Sequence, residues 1–522
     1  MDQLNKAQKD GVVVGLKAVA GVVPRLDIDK LLIEAPDTFN LFCLALADLM
    51  SADDNGNIMG YYQIAGIHGL PKVLWDNIDA PNKEPGSLAG SGYCAHSSLQ
   101  FPPWHRPYLS MIEQTIFKKM VDLAETFPEA DKQTYRDAAK KFRLPYWDYY
   151  RPRGKTVTFP GVVNNGTTSF KYDFSVPQIF TVDKIMLKTP AKNQLTLSDN
   201  PLQLFDFPQA GGISLSDWRI IGSDSASFSR LQTQRYPAAS DAVKSMNAAI
   251  NKNREGGTNQ IMNMISDPAY NQYGAFATDS ASSGPSGSLE GIHGNYHVLI
   301  GGPAGHMSRV PVAAFDPMFW LHHCQIDRWF AVWQAAHPNA WFTSDQTNQL
   351  PFRTSKSPEQ FWTARGSRTT DAFGYTYPDL AGGAGQVKST FRNHYSWSVR
   401  TAAQPKFGEP PADMAPLDIS KAQVFQFTTG STVASAFHTL LAAPIKQVPE
   451  LVESAKAIVS KETAAKPSKE SEHKNPAHEK GDAKDKAFRI AGSNDQIPIT
   501  ALSAVKESEV SREWFVDNIV ER

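Results

Sequence analysis

Six histidines in two clusters are the residues of this chain whose type and spacing best suit metal chemistry. They are His68, His96 and His105 in the N-terminal third, and His293, His297 and His323 much later in the chain. Three imidazoles per ion leave one coordination position open for a small molecule, so the clusters predict two metal ions held side by side. Copper, zinc, iron and nickel all accept neutral imidazole. The ligand type therefore limits the choice of metal without identifying it.

Two helices are predicted to carry the second cluster. His293 and His297 are four residues apart, so on a helix they share a face and can point at one ion. Asp316 followed by Pro317 is typical of a helix start, with the aspartate as the cap and the proline in the first turn. His323 lies on that helix, which brings the third ligand in from a separate piece of chain.

Side chains on the second of these helices divide into two faces. At intervals of four residues, one stripe contains Phe319, His323 and Asp327. This stripe places an aromatic ring one turn before the ligand and a carboxylate one turn after it. His322 points about 100° away from the stripe, because a helix has about 3.6 residues per turn, and a supporting or core position is predicted for it.

The first cluster is spread over a predicted helix and the chain before it. His105 follows a pair of prolines at a predicted helix start. His96 precedes that helix on a loop, two residues after Cys94, and His68 closes the segment of residues 61–69.

These residues resemble the signatures of the tyrosinase superfamily of type-3 dinuclear copper proteins, which includes tyrosinases, catechol oxidases and molluscan haemocyanins. The first signature is matched by His96, Phe101, Trp104, His105, Arg106 and Glu113, and the second by Asp316, Pro317, Phe319, Trp320, His323 and Asp327. A fungal Tyr-x-Tyr motif is matched by Tyr375 and Tyr377, and Arg25 stands where the family places an arginine near that motif. The resemblance covers about residues 20 to 400 and is nearest to fungal members. It implies a mainly α fold, with a tyrosinase-like central four-helix bundle, long loops and a few short strands.

The resemblance also assigns roles to the residues of the two clusters. All six histidines become ligands of two copper ions. Fungal members typically carry a thioether between a cysteine and the histidine two residues later, which here implies a crosslink from Cys94 to His96. Cys43 and Cys324 match no such pattern and are predicted to be reduced core thiols.

Four further residues near the second cluster are predicted to act in catalysis. In the family, a glutamate three residues before the ligand holds a water near the metals, a role that falls on Glu290. Members that hydroxylate monophenols usually have asparagine after that ligand, where this chain has Gly294, so poor activity on monophenols is expected. Phe319 and Val298 are predicted to hold the aromatic ring of the substrate.

The seven histidines outside the motifs are predicted to be hydrogen-bonded residues of the core, as buried histidines without ligand context usually are. They are His306, His322, His337, His394, His438, His473 and His478.

Three functions are compatible with this set of residues. The first is a fungal copper enzyme of pigment or secondary metabolism that uses dioxygen to oxidise o-diphenols or o-aminophenols to quinones. The second is a zinc-dependent haemocyanin-like cyclopenase, in which two zinc ions act as Lewis acids and cyclopenin-type benzodiazepinedione epoxides become viridicatin-type quinolones. The third, a dioxygen carrier, is disfavoured because the chain lacks haemocyanin repeats. Six imidazoles serve copper and zinc equally, so the sequence leaves the first two open.

Composition gives no sign of a polymeric partner or of a charged substrate, and the small aromatic substrate is what the resemblance implies. With 52 basic and 53 acidic residues the formal net charge is -1, which predicts no nucleic-acid partner. Three cysteines in 522 residues cannot form a disulfide framework, so a reducing, cytoplasmic location is expected. No secretory signal and no membrane span are recognised. A homodimer is the expected assembly.

Four regions are predicted along the chain. They are a catalytic domain at 1–410, a C-terminal extension packed on it at 411–450, a Lys/Glu-rich low-complexity linker at 451–510, and a remnant of the first strand of a C-terminal shielding domain at 511–522. Between the clusters, residues 150–290 are rich in Gly, Ser, Asn and Pro, so long loops with short helical pieces are expected there.

Overall fold

The computed structural model divides the chain into two compact units. The described residues are 1–51, 57–79, 92–163, 166–208, 213–220, 229–282 and 284–425, with two short strands further on. The first unit is Met1–Phe425 and the second is Gln426–Arg522. The first unit holds all of the predicted catalytic domain and the start of the predicted extension. The rest of that extension, most of the predicted linker and the predicted strand at 511–522 lie outside the described residues.

The described part of the chain contains fourteen α-helices, which confirms the mainly α prediction. They are α1 (Asp2–Asp10), α2 (Lys17–Ala20), α3 (Ile28–Glu34), α4 (Pro36–Ser51), α5 (Tyr61–Gly66), α6 (Phe101–Ala124), α7 (Glu129–Lys141), α8 (Leu215–Ile220), α9 (Ala242–Ser266), α10 (Tyr273–Ala277), α11 (Asp279–Ser282), α12 (Leu289–Gly301), α13 (Met318–Ala336) and α14 (Ala384–Tyr395). None of the helices in these described ranges is both long and apolar enough to span a bilayer.

The strands that the structure describes are short and form two-stranded pairs. They are β1 (Val23–Pro24) with β8 (Tyr375–Thr376) in parallel, and in antiparallel fashion β2 (Gly154–Val163) with β3 (Gly166–Asp173), β4 (Lys184–Lys188) with β5 (Leu195–Asp199), β6 (Asn348–Lys356) with β7 (Glu359–Thr363), and, in the second unit, β9 (Ala487–Arg489) with β10 (Gln496–Pro498). Short 3-10 helices link these elements, at Trp75–Asn77, Gln178–Phe180, Pro268–Tyr270, His306–Ser308, Val310–Phe315, Thr370–Phe373, Pro378–Leu380, Ser396–Ser398, Ala412–Met414, Ile419–Lys421 and Gln423–Phe425.

Helices α6 and α13 form the centre of the core and contact each other. Almost every residue from Phe101 to Phe117 is buried, as are nearly all residues of α13. A helix that is buried all round needs partners on every side. Helix α6 contacts α4 and α7, while α13 contacts α12, α9 and α14.

The two predicted helix starts are confirmed to within a residue. Helix α6 begins at Phe101, directly before its proline pair. Helix α13 begins at Met318, and the Asp316 carboxylate accepts a hydrogen bond from the Met318 amide at 2.9 Å. The carboxylate therefore satisfies an amide that the first turn leaves without a helical partner.

The prediction of loops between the clusters missed α9, a helix of 25 residues. Its start is marked by Asp241, whose side chain accepts from the Lys244 amide at 2.8 Å. Glycines in the middle of this helix weaken its sequence signal, because glycine disfavours an isolated helix. One of them, Gly257, is required by packing, since a Cβ there would lie 2.4 Å from the Tyr150 hydroxyl oxygen.

A buried ionic network ties the chain's beginning to the central helices. The Asp327 carboxylate accepts from Arg106 Nε at 2.7 Å, from the Tyr375 and Tyr377 hydroxyls at 2.6 and 2.7 Å, and from Arg25 Nη1 at 3.3 Å. Pairing of β1 with β8 brings Arg25 to this point. The expected proximity of Arg25 to the Tyr-x-Tyr motif is thus observed, and Asp327 is the acceptor that joins them.

Candidate metal centre

The six histidines meet at the centre of the helical core. Three helices carry four of them: α6 carries His105, α12 carries His293 and His297, and α13 carries His323. The other two lie outside helices, His68 just after α5 and His96 on the loop before α6. The two clusters face each other. The rings of His105 and His323 stack with centroids 4.5 Å apart, and those of His96 and His293 lie 5.8 Å apart.

Imidazole nitrogens converge most tightly in the second cluster. Nε2 of His297 lies 2.9 Å from Nε2 of His293 and 3.3 Å from Nε2 of His323. On the other side, one nitrogen from each of His68, His105 and His323 also falls within 4.8 Å of the others. The ring nitrogens therefore form two adjoining groups that share His323.

Backbone carbonyls orient three of the rings. His68 Nδ1 donates to the Val310 carbonyl at 2.9 Å, His105 Nδ1 to that of Phe101 at 2.7 Å, and His297 Nδ1 to that of Met307 at 2.9 Å. A proton on Nδ1 leaves the lone pair on Nε2, the nitrogen that points into the cluster. Such contacts fix the tautomer and the orientation of metal-binding histidines.

Burial keeps the imidazoles neutral. It lowers the pKa of His96 to about 4 and the pKa values of His105 and His297 to about 3, and it lowers those of the other three cluster histidines well below the ordinary value. Metal binding needs the neutral form. In the described part of the chain, the buried Nε2 of His68 has no hydrogen-bond partner. A metal ion would satisfy it, so the residues fit the two ions that the sequence predicts.

A further imidazole, His322, comes nearer to the site than its helix position indicates. Its ring centroid is 4.4 Å from that of His297. One of its ring nitrogens lies within 4.8 Å of ring nitrogens of His293, His297 and His323. The Nδ1 atom of His322 is hydrogen-bonded to the Tyr149 hydroxyl. The supporting role of His322 stays a prediction, and the packing of α12 on α13 accounts for its closeness to His297.

Cys94 is buried beside the first cluster. Its Sγ lies 3.7 Å from His96 Nε2 and 3.4 Å from His105 Nε2. Burial raises the pKa of the thiol well above its ordinary value. The sulfur is thus adjacent to the ring that the predicted thioether would join, and the crosslink itself stays a prediction. Cys43 and Cys324 are buried and unpaired.

The four residues predicted to act in catalysis occupy two different surroundings. Glu290, Gly294 and Val298 are four residues apart on α12 and share one face. The Val298 side chain is 58% exposed, and a Cβ at Gly294 would meet nothing within 4 Å. Phe319 has no exposed surface, and its ring centroid is 4.0 Å from that of His323. It packs against the His323 imidazole, and its predicted contact with a substrate ring stays a prediction.

The Glu290 carboxylate has protein partners that the sequence did not reveal. It accepts a hydrogen bond from the Ser97 amide at 2.6 Å. Burial raises its pKa, against the opposing effects of the Thr278 side chain and the Ser97 amide. No local pattern signals these contacts, since the partners lie far from Glu290 in sequence. A positive φ of 53° at Ser97 is the structural sign that something holds this backbone.

The remaining histidines have different environments. His306 and His337 are buried, as predicted for core residues. His394 differs, because its Nε2 lies 2.7 Å from a carboxylate oxygen of Asp413. His438, His473 and His478 lie outside the described residues.

Comparison with known proteins identifies the family. Residues 58–336, which include all six histidines, match the model of the common central domain of tyrosinase. A tyrosinase of Neurospora crassa is 32% identical over 472 residues, covering 83% of this chain and 64% of the relative. The chain therefore belongs to the tyrosinase family, and it spans about two thirds of the length of that relative.

Two solved structures show the same fold. A mushroom tyrosinase, crystallised with latent and active forms together, is 25% identical with a TM-score of 0.60, covering 74% of this chain and 98% of its own. A copper-bound variant of the active tyrosinase of Aspergillus oryzae is 22% identical with a TM-score of 0.61, also covering 74% and 98%.

Proposed function

We propose that this protein is a dinuclear copper oxidase that uses dioxygen to oxidise o-diphenols and o-aminophenols to quinones. The observation that carries the proposal is the convergence of six neutral imidazoles, three of them oriented by backbone carbonyls. His68, His96 and His105 would hold one ion, and His293, His297 and His323 the other. Copper bound there supplies the electron transfer from substrate to dioxygen.

The substrate is proposed to approach along the open face of α12. Gly294 leaves open space on this face of the helix, and the exposed Val298 offers an apolar contact for an aromatic ring. Glu290, at the start of the same face, supplies a carboxylate whose pKa is raised by burial. A carboxylate with a raised pKa is suited to take a proton from a phenol or from a water.

The metal and the need for dioxygen are tested together. The protein is stripped with a chelator, reloaded with copper or with zinc, and assayed on a catechol with and without oxygen. Copper-restored, oxygen-dependent quinone formation is expected. The zinc cyclopenase alternative predicts the opposite pattern, in which zinc restores full turnover of an epoxide substrate under anaerobic conditions, and that result would eliminate the copper proposal.

Substrate scope is tested at Gly294. The wild-type enzyme should oxidise o-diphenols while acting poorly on monophenols, because glycine has no side chain to help Glu290 orient a water. Gly294→Asn should raise the ratio of monophenol to diphenol activity, and the space around this position accepts the larger side chain. Asn295→Ala, at an exposed position of the same helix, is the control. Wild-type hydroxylation of tyrosine as fast as catechol oxidation would refute the argument.

A cytoplasmic location and a role in fungal pigment or secondary metabolism are also proposed. The three cysteines are unpaired and buried, which suits a reducing compartment. Fractionation of cells that produce the protein tests the location. The homodimer stays a prediction that sedimentation of the purified protein can check.

A further inference from the structure

A contact between Glu290 and Ser97 joins the two metal clusters through protein atoms. Glu290 is in the first turn of α12, three residues before His293. Ser97 directly follows His96 in the loop before α6. Their hydrogen bond, 2.6 Å from the Ser97 amide nitrogen to Glu290 Oε1, spans 193 residues of sequence. A side chain on the helix of one cluster therefore holds the backbone of the other.

The backbone at Ser97 needs to be held. Its φ of 53° lies in the left-handed region, which disfavours a residue with a Cβ by roughly 1–2 kcal/mol. Hydrogen bonds from an amide to an ionised carboxylate are among the strongest that a backbone makes. The contact with Glu290 thus offsets the conformational cost at the position that sets the direction of His96.

Thr278 is a second neighbour of the carboxylate. This residue has no exposed surface and directly precedes α11. Burial raises the pKa of Glu290, and the Thr278 side chain opposes that effect. The contact that links the two clusters is the hydrogen bond from Ser97.

We propose that Glu290 is a positioning residue for the first metal site: its carboxylate clamps the His96 loop, so that metal affinity at the first site depends on a side chain carried by the helix of the second. The inference rests on the proposed dinuclear site. It adds to that site a physical connection that makes binding of the two ions interdependent.

Four variants separate the clamp from other roles of Glu290. Glu290→Ala removes the acceptor, whereas Glu290→Gln keeps an amide oxygen that accepts from Ser97 while losing the negative charge. Thr278→Val removes the hydroxyl of the residue that opposes the pKa rise of Glu290. Asn295→Ala changes an exposed residue on the same helix and is the matched control.

The first measurement is metal retention by the full-length chain. Copper-loaded protein is dialysed against increasing chelator, and the metal per chain is determined. We expect Glu290→Ala to weaken one of two sites by about tenfold or more, the equivalent of one hydrogen bond to a charged group. Asn295→Ala should stay near wild type. Glu290→Gln, which keeps the acceptor without the charge, and Thr278→Val should fall between wild type and Glu290→Ala. In a His297→Ala background, which leaves the first site alone, Glu290→Ala should weaken the remaining ion by the same factor.

The second measurement needs no metal. Hydrogen exchange of the peptide containing Cys94 to Gln100 in the metal-free protein should be faster in Glu290→Ala than in Asn295→Ala. Wild-type metal affinity at both sites in Glu290→Ala would overturn the proposal, and so would equal weakening in Glu290→Gln and Glu290→Ala, because the glutamine still offers an acceptor to the Ser97 amide. A wild-type chain that binds fewer than two ions would refute the dinuclear function, while the exchange result would still decide whether Glu290 holds the loop.

Discussion

Removal of the Asp327 carboxylate should cost this protein several kcal/mol of stability. Asp327 is 4% exposed, and the guanidinium groups of Arg25 and Arg106 that it neutralises are fully buried. Taking one partner away from a buried ionic network leaves charge without compensation, typically at about 3–5 kcal/mol. We expect Asp327→Ala to lie at the upper end of this range. Asp327→Asn should cost about 2 kcal/mol less, because the amide oxygen still accepts from Tyr375 or Tyr377.

The pH dependence of this cost has a defined sign. Burial raises the pKa of Asp327, but Arg106 and Arg25 outweigh burial and the pKa is lowered. A carboxyl group with a lowered pKa in the folded state stabilises the protein above its unfolded pKa of about 3.9. Its contribution is lost as the pH falls below that value. The deficit of Asp327→Asn should therefore be full at pH 7 and shrink in acid.

Urea denaturation of the metal-free chain is the assay, followed by far-ultraviolet circular dichroism and by tryptophan fluorescence. The two transitions must coincide for a free energy to be assigned. Glu125→Gln is the control, since its pair with Arg136 has side chains 47% and 41% exposed and solvent screening should leave its contribution to stability small. A free energy of unfolding for Asp327→Ala within about 1 kcal/mol of wild type would refute the reasoning.

Three further predictions concern the site and its surroundings. His323→Ala should bind fewer metal ions and lose activity while keeping cooperative unfolding, because α13 retains its apolar contacts; metal analysis and circular dichroism check this, and two ions per chain would contradict it. The intact wild-type chain should weigh two hydrogen atoms less than its sequence requires if Cys94 is joined to His96, and Cys94→Ser should show its full mass. Burial lowers the pKa of His394, but the carboxylate of Asp379, 3.7 Å from its Nδ1, outweighs burial and the pKa is raised. The stabilisation from this histidine is thus full below about pH 6.5 and lost as the pH rises through the folded pKa, so His394→Gln should reduce stability more at pH 5.5 than at pH 9.

Sequence patterns indicated the parts of this protein that depend on neighbours along the chain. Asp316 before a proline marked the start of α13, and spacing by four placed His293 and His297 on one face of α12. Each of these features follows from the 3.6-residue helical repeat and from capping of free amides. The same local rules failed for α9, where Gly257 weakens the helical signal and packing against Tyr150 decides the outcome.

Residue types and spacing alone predicted a cluster of imidazoles suited to bind metal on mainly helical elements, because ligand chemistry and helical spacing are properties of the sequence. Tertiary structure decided how those imidazoles are used. It buried Phe319 against the His323 imidazole, brought His322 beside His297, and joined Glu290 to Ser97 across 193 residues. Such contacts depend on which helix faces pack together, and that packing depends on the contacts of all neighbouring elements at the same time. No stretch of sequence contains that information by itself.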